Sequence, residues 1–267
     1  MDRYRLKNCI ILILVLMNLF LLFSLLSRAG SLHTTQRTVA EQQAALLAAD
    51  GISLDSELIP DQLPPAGRTL SRSSEQERQA AAALLGNQLS HSDQGGGIYT
   101  YSSNRGAAMF RSTGAFDAAG TLASNGLAFC RSFCEDFGYE EPVFHLSESN
   151  SGTATVMRIQ DGSPIYNCTV TFSITNGILT GISGTLLPEE YTESVSDVQP
   201  LSASAALTAF QKLRRENQAV VSEITDIYPC FELQSTSTTM TLVPVWCIVT
   251  DTANYYVNCL TGTAISH

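Results

Sequence analysis

The chain has 267 residues, of which 44% are hydrophobic and 15% are charged, so it can build one to three small globular domains. Its 15 basic and 25 acidic residues give a formal charge of −10. The first 36 residues hold four bases and one acid, which leaves 11 bases against 24 acids, or −13, for the remainder. This acidic remainder argues against nucleic acid as a partner, because phosphate binding requires Lys and Arg. The seven cysteines are too few for a disulfide miniprotein and include no Cys-x-x-Cys pair.

The run from Cys9 to Leu26 is the first predicted element. It is uncharged over 18 residues, and a helix of that length reaches about 27 Å, close to the thickness of the bilayer core. Three basic residues precede the run within the first seven positions, whereas Arg28 alone follows it closely. The positive-inside rule therefore puts residues 1–8 in the cytoplasm and the body outside the cell. We predict a single-pass protein of the cell membrane, in contact with the lipid bilayer.

Two features of this run leave alternatives open. Ser27-Arg28-Ala29 has small residues where a signal peptidase cleaves, but an h-region is usually about 7 to 15 residues long, so a retained anchor is favoured. The amide of Asn18 either contacts a partner transmembrane helix or is simply tolerated within the span. Residues 1–8 hold no catalytic domain, so a signal would pass sideways through the helix.

Two helices and a linker follow. Thr38 and Glu41 form a capping box and Gly51 is a stop signal, so we predict a helix between them that is a stalk or the first packed helix. Three prolines and a glycine then indicate a linker or irregular edge over 52–73 rather than core. A second helix is predicted over 74–89, with Ser74 and Glu77 spaced as a capping box, and three glycines break the chain after it.

Hairpins and two more helices make up the rest of the pattern. Asn104 and Gly106 suit the turn of a first hairpin, and Asp161-Gly162 and Asn176-Gly177 suit two later ones. Apolar residues at helical spacing predict helices over 120–137 and 203–217. The predicted strands after the first hairpin are 142–146, 154–160, 165–174, 178–183, 224–233, 242–250 and 254–260.

Helices followed by antiparallel hairpins predict an α+β body with the helices on one face of antiparallel sheets. The predicted division of the chain is a cytoplasmic tail (1–8), a transmembrane helix (9–27), a stalk helix and linker (28–73), an extracellular α+β domain (74–187) and a C-terminal α+β unit (188–267).

The sequence contains no catalytic, cofactor-binding or metal-binding pattern. The histidines His33, His91, His145 and His267 are scattered and belong to no H-E-x-x-H helix or Cys/His cluster. The glycines at 95–97 precede no Lys-Ser or Lys-Thr, so they are not a phosphate loop. We therefore predict a non-enzyme without catalytic residues, cofactors or metal ligands.

The terminal hairpin gives a prediction for two cysteines. A three-residue loop over 252–254 pairs Asp251 with Tyr255, so that paired residue numbers sum to 506. Cys247 then lies opposite Cys259 on one face of the hairpin, as a disulfide or as adjacent thiols.

Three segments resemble the YycI and YycH family of membrane-anchored regulators. They are MDRYRLKN before the single span, IYNCTVTFSITNGILTGISG at 165–184 and VPVWCIVTDTANYYVNCLTG at 243–262. The strand around Trp246 and the hairpin over 255–258 also resemble the end of a PepSY-type domain. These motifs describe a fold and no catalytic chemistry.

The resemblance implies a bitopic regulator of a two-component signalling system. Its extracellular α+β subdomains would associate with a related YycH-like protein, and its transmembrane helix would contact a WalK-type sensor histidine kinase. The alternative is an extracytoplasmic PepSY-type binding or inhibitor module that acts on an envelope protease or cell-wall hydrolase. A cell-wall enzyme is the third reading.

Overall fold

The computed structural model of the chain describes residues 14–18, 20, 37–188, 191–193, 198–236 and 239–266. Residues 14–18 and 20 are helical, and the rest of the predicted span lies outside the described residues. Within the described ranges, no helix combines the length and apolar character needed to cross a membrane. The transmembrane helix therefore stays a prediction.

After these N-terminal helical residues, the described part of the chain contains four α-helices. They are α1 (37–49), α2 (Ser74–Leu85), α3 (Gly126–Phe137) and α4 (Ala203–Asn217), and a short 3₁₀ helix spans Ser56–Leu58. The predicted bounds of α4 are confirmed, with Ser202 as the N-cap. The N-cap of α2 is Ser73 rather than Ser74, and Gly86, with a φ of +87°, ends this helix four residues earlier than expected at 89.

The predicted start of α3 at 120 is wrong. Residues up to Ala123 continue a strand, and the side chain of Asn125 caps the helix by accepting from the N–H of Ala128. The helix then ends as predicted, with Gly138 in the left-handed conformation at a φ of +66°.

Thirteen strands are present in the described residues. They are β1 (Arg68–Leu70), β2 (Ser90–Gly95), β3 (Ile98–Ser103), β4 (Gly106–Phe110), β5 (Ala115–Ala123), β6 (Gly152–Gln160), β7 (Ser163–Thr175), β8 (Ile178–Thr185), β9 (Tyr191–Glu193), β10 (Ile224–Ser235), β11 (Met240–Thr250), β12 (Asn254–Asn258) and β13 (Ala264–Ser266). Both later turns are as predicted, with positive φ at Asp161-Gly162 and at Asn176-Gly177. The strand predicted over 142–146 is wrong, because that segment has no strand pairing.

All thirteen strands belong to one mixed but mainly antiparallel sheet. Its order is β13-β12-β11-β10-β7-β8-β5-β4-β3-β2, with β6 beside β7 and with β1 joining β11 to β9. The contact between β10 and β7 is parallel and pairs Phe231 with Ile165. The predicted α+β class is confirmed at this level, although one sheet replaces the separate sheets that were expected.

The larger hydrophobic core lies between the N-terminal strands and the helices α2 and α3. Phe110, Phe116, Phe133 and Phe172 are fully buried there, and the rings of Phe110 and Phe116 stack with their centroids 5.5 Å apart. Alternating strand residues face these helices, which is why one sheet face is apolar here.

The second core lies between the C-terminal strands and the helices α1 and α4. Leu47 of α1 and Phe210 of α4 are completely buried around Trp246. The segment predicted as linker also enters cores, since Ile52, Ile59 and β1 residue Leu70 are buried. The helix after the predicted span thus packs into this core.

A third cluster of buried side chains lies in the middle of the sheet, between the two larger cores. It contains Leu70, Ile165, Cys168, Leu187, Phe231, Met240 and Leu242. These residues come from both sides of the predicted boundary at 187/188, and the sheet runs through that boundary without a break. The division into two units stays a prediction.

Candidate functional site

Two buried thiols on adjacent C-terminal strands form the centre of the candidate site. The antiparallel pairing of β10 and β11 puts Tyr228 opposite Cys247 and Cys230 opposite Val245. Opposed residues share a face and side chains alternate, so both thiols lie on the same face of the sheet. Trp246, on the other face, belongs to the core under α1 and α4. The thiols therefore lie on the face that those helices leave open.

Tyrosine rings cover the thiols. Strand β12 places Tyr256 opposite Cys247, and the ring of Tyr166 from β7 stacks on Tyr256 with centroids 3.8 Å apart at an interplanar angle of 15°. Both thiols are completely buried, and the described residues that pack around them all belong to strands. We name Tyr166, Tyr228, Cys230, Cys247 and Tyr256 the tyrosine–thiol cluster.

A bulge in β7 brings Tyr166 into this position. The β6–β7 register jumps from Met157 opposite Thr169 to Arg158 opposite Ile165, so residues 166–168 form a bulge in this register. Asn167, in the bulge, donates from Nδ2 to the carbonyl of Leu233 at 2.8 Å and accepts from its N–H at 2.7 Å. The side-chain amide thus pairs with β10 as a backbone peptide group would.

Hydrogen bonds give the two thiols of the cluster opposite properties. Cys247 accepts a hydrogen bond from Cys230, which lowers its pKa against the opposing effect of burial, and hydrogen bonds from Tyr228 and Tyr256 lower it further. Cys230 donates its S–H to Cys247, and this hydrogen bond together with burial raises the pKa of Cys230. Burial raises the pKa of Tyr256 to about 12. Cys247 is consequently the sulfur on which negative charge is best accommodated.

A small groove runs beside the cluster. It has a volume of about 270 Å³ and is lined by Tyr166, Glu232, Tyr256, Asn258, Thr261 and Ile265, among others. Glu232 accepts a hydrogen bond from Tyr166. The cluster thus offers a rigid aromatic surface with hydroxyl and carboxylate groups at its rim, which is suited to binding.

The parts of the chain that the structure describes contain no group of three or more His, Cys, Asp or Glu side chains that could hold a metal ion. His91 lies on β2 against two tyrosine rings, and His145 lies in an irregular segment far along the chain. His33 and His267 lie outside the described residues.

The predicted pairing of Cys247 with Cys259 is wrong. In the structure Cys247 pairs with Tyr256, so that paired numbers sum to 503 rather than 506. A displacement by three residues, an odd number, moves Cys259 to the opposite face, because side chains alternate along a strand. Both thiols are free, and Cys259 belongs to the core under α4.

The physical reason for the shift lies at the turn. The hydroxyl of Thr250 donates to the carbonyl of Ala253 at 2.7 Å, and the carboxylate of Asp251 accepts from the N–H of Ser222 at 3.1 Å. Asp251 is therefore held by a distant segment instead of pairing with Tyr255, and the last pair of the hairpin is Val249 with Asn254.

Asn18 lies in the short helical part of the span that the structure describes. Its Nδ2 donates to the carbonyl of Leu14, one turn earlier, at 3.0 Å. The amide is thus satisfied within its own helix, as Asn can be in apolar surroundings. A contact between Asn18 and a partner helix stays a prediction.

Comparison with solved structures finds partial similarity to several chains. One is an uncharacterized protein from Eubacterium rectale ATCC 33656, with 12% identity and a TM-score of 0.44, over 77% of this chain and 81% of that chain. Another is YycH from Bacillus subtilis, with 13% identity and a TM-score of 0.37, over 76% of this chain and 53% of that chain. This chain thus matches about half of the length of YycH.

No protein-family profile matches the chain, and no curated protein matches it. One of these structures is named YycH, and the resemblance of the sequence to the YycI and YycH family and to PepSY-type domains stays a prediction. Neither similarity by itself assigns a function.

Proposed function

We propose that this protein is a non-enzymatic, membrane-anchored regulator of a two-component signalling system. Residues 9–26 span the membrane once, residues 1–8 lie in the cytoplasm and the α+β body lies outside the cell. The span contacts the transmembrane helix of a sensor histidine kinase, and the body associates with a related YycH-like regulator.

The sequence supports the anchor and its direction. The run from Cys9 to Leu26 is uncharged, and its length matches the hydrocarbon core. The basic residues that precede it favour a cytoplasmic N-terminus.

The packing of α1 is the single observation that carries the proposal. Its first described residue, Arg37, follows the apolar run closely in the sequence, and Leu47 is completely buried in the C-terminal core. Gln43 donates to the Thr208 hydroxyl of α4 at 3.4 Å, and Arg215 of α4 pairs with Asp50 at 2.7 Å. The helix nearest to the proposed anchor is therefore built into the body.

This arrangement suits a regulator because a packed helix transmits displacement better than a free tether does. Because Leu47 is fully buried in the body, a movement of the body would also move α1. The chain between α1 and the span would then shift or rotate. Transmission into the kinase then requires contact between helices in the bilayer.

Replacing residues 9–26 by an unrelated single span of equal length and orientation is expected to change the kinase output several-fold, because the lateral contact is lost while α1 and the body stay unchanged. The output is read as phosphorylation of the response regulator in cells that carry the full chain. Asn18→Leu is the matched point variant, and we expect it to change the kinase output less than replacement of the whole span does. If the variant with the replaced span gave the same kinase output as the unmodified protein, at equal abundance in the membrane, the lateral contact would be contradicted.

A further inference from the structure

Strand β2 lies at one end of the described sheet, and one edge of its backbone pairs with none of the described strands. It is the last strand of the sheet and pairs only with β3 among the described strands. All six residues of β2, with the sequence SHSDQG, are exposed. An edge of this kind presents a row of free N–H and C=O groups that another strand can bind.

The other edges of the described sheet are covered or short. The N–H of Ile159 on β6 donates to the carbonyl of Gly138 at 3.0 Å, and the N–H of Glu140 donates to the carbonyl of Met157 at 2.9 Å, so the segment after α3 covers β6 around residues 157–159. Strands β9 and β13 have three residues each. β2 also lacks the Lys and Pro residues that usually guard an edge, and its one irregularity is a register shift against β3 between Asp93 and Gly95, at the end of the strand.

The sequence of β2 is complementary to itself in one antiparallel register. A two-fold axis perpendicular to a sheet leaves each side chain on the same face of the sheet in both copies. Opposed side chains share a face, so an even-numbered residue can oppose only an even-numbered residue, and an odd-numbered residue only an odd-numbered one. With the axis at Ser92, the two Ser92 residues oppose each other, and each His91 lies opposite the Asp93 of the other copy. The imidazole of His91 has an N–H that can donate to a carboxylate in the opposed position.

Neighbouring registers lack this complementarity. An axis at Asp93 would oppose two carboxylates, and like charges in opposed positions destabilise strand pairing. An axis at His91 would oppose two imidazoles and leave Asp93 without a side-chain donor opposite it. The side chains of β2 therefore favour the register with the axis at Ser92.

We propose that β2 is the edge through which two copies of this chain pair as an antiparallel dimer. The sheet then continues from β3 and β2 of one copy into β2 and β3 of the other. His91 stacks near Tyr99 and Tyr101, with ring centroids 5.5 and 5.1 Å away, and these rings line a cavity of about 600 Å³ beside α2. Pairing brings the cavities of the two copies to either side of the two-fold axis on the helix-bearing face.

A six-residue strand pair buries less area than a standard stable interface, so the dimer is expected to be weak and its test traps it covalently. In the proposed register the Cα atoms of the two Ser92 residues are about 4.5 to 5.5 Å apart, within the range of a disulfide. The full chain with Ser92→Cys, in membranes and under a mild copper oxidant, should therefore form a covalent dimer as its main product.

Two matched variants test the register. In Ser90→Cys the two sulfurs belong to residues about 14 Å apart along the strands, so at least tenfold less dimer is expected. Thr153→Cys, exposed on the covered strand β6, should give only the background of the unmodified protein. Equal cross-linking at 90 and 92, or none at 92 in a folded chain, would overturn the proposal.

A charge exchange tests the proposed contact between the copies. His91→Asp alone places carboxylates opposite each other and should reduce cross-linking at position 92 at least fivefold, whereas His91→Asp with Asp93→His should restore it. Asp93 also accepts from the N–H of Gly95 at 2.8 Å, so thermal unfolding of each variant is measured alongside. If the double variant folds normally but cross-links at position 92 as poorly as His91→Asp alone, the His91–Asp93 pairing would be overturned.

Discussion

Replacing Trp246 by Ala is expected to lower the free energy of unfolding by about 4 kcal/mol, which is the cost of removing a large aromatic side chain from a packed core. Trp246 is completely buried between β11 and α4. Its Nε1–H donates to the carbonyl of Leu201 at 2.8 Å, and the N–H of Leu201 donates to the carbonyl of Cys259 at 2.8 Å. The indole thus ties the chain that enters α4 to the sheet.

Urea unfolding of the detergent-solubilised full chain measures this loss through far-UV circular dichroism, because the variant has no other Trp to follow by fluorescence. Trp246→Phe is the matched control. It keeps a buried ring and loses the N–H, so a smaller loss of about 1 to 2 kcal/mol is expected. Equal losses for the two variants would contradict the cavity argument.

Replacing Gly106 by Ala is expected to cost about 3 kcal/mol, from backbone strain together with a steric clash. Gly106 opens β4 and lies opposite Gly120 of β5, with φ at +152°. A Cβ atom there would lie 2.1 Å from the carbonyl oxygen of Ala119, which belongs to the backbone and cannot rotate away. The two strands therefore have to separate in the variant.

Gly162→Ala separates the two contributions. Gly162 also has a positive φ, +78°, but an added Cβ would meet no atom within 4 Å. A cost of about 1 kcal/mol is expected there, since only the backbone conformation is strained. If both alanine variants lost equal stability in the same urea experiment, the close approach of Gly106 to β5 would not be the cause.

Local sequence rules predicted the elements that local interactions determine. Helix α4 has the expected bounds, because Ser202 caps it and its apolar spacing fits one buried face. The turns at Asp161-Gly162 and Asn176-Gly177 have the expected positive φ values. The sequence pattern predicted Gly106 as a residue of a hairpin turn. In the structure a glycine is needed there because the backbone of β4 lies very close to Gly120 of β5.

Features that depend on distant residues could not be predicted in this way. The register of the terminal hairpin depends on the contact of Asp251 with Ser222, which lies 29 residues away. The tyrosine–thiol cluster depends on the bulge around Asn167 and on its pairing with Leu233, 66 residues away. One sequence signal would have placed the two thiols together. Tyr228 and Cys230 alternate along one strand, and in the correct register they lie opposite Cys247 and Val245.

The most direct test of the proposed regulatory function is quantitative mass spectrometry of the full chain, purified after cross-linking in its own membranes. A sensor histidine kinase should be enriched with the unmodified protein and lost when residues 9–26 are replaced by an unrelated span. Enrichment of an envelope protease or cell-wall hydrolase that is independent of the span, with no histidine kinase, would contradict the account.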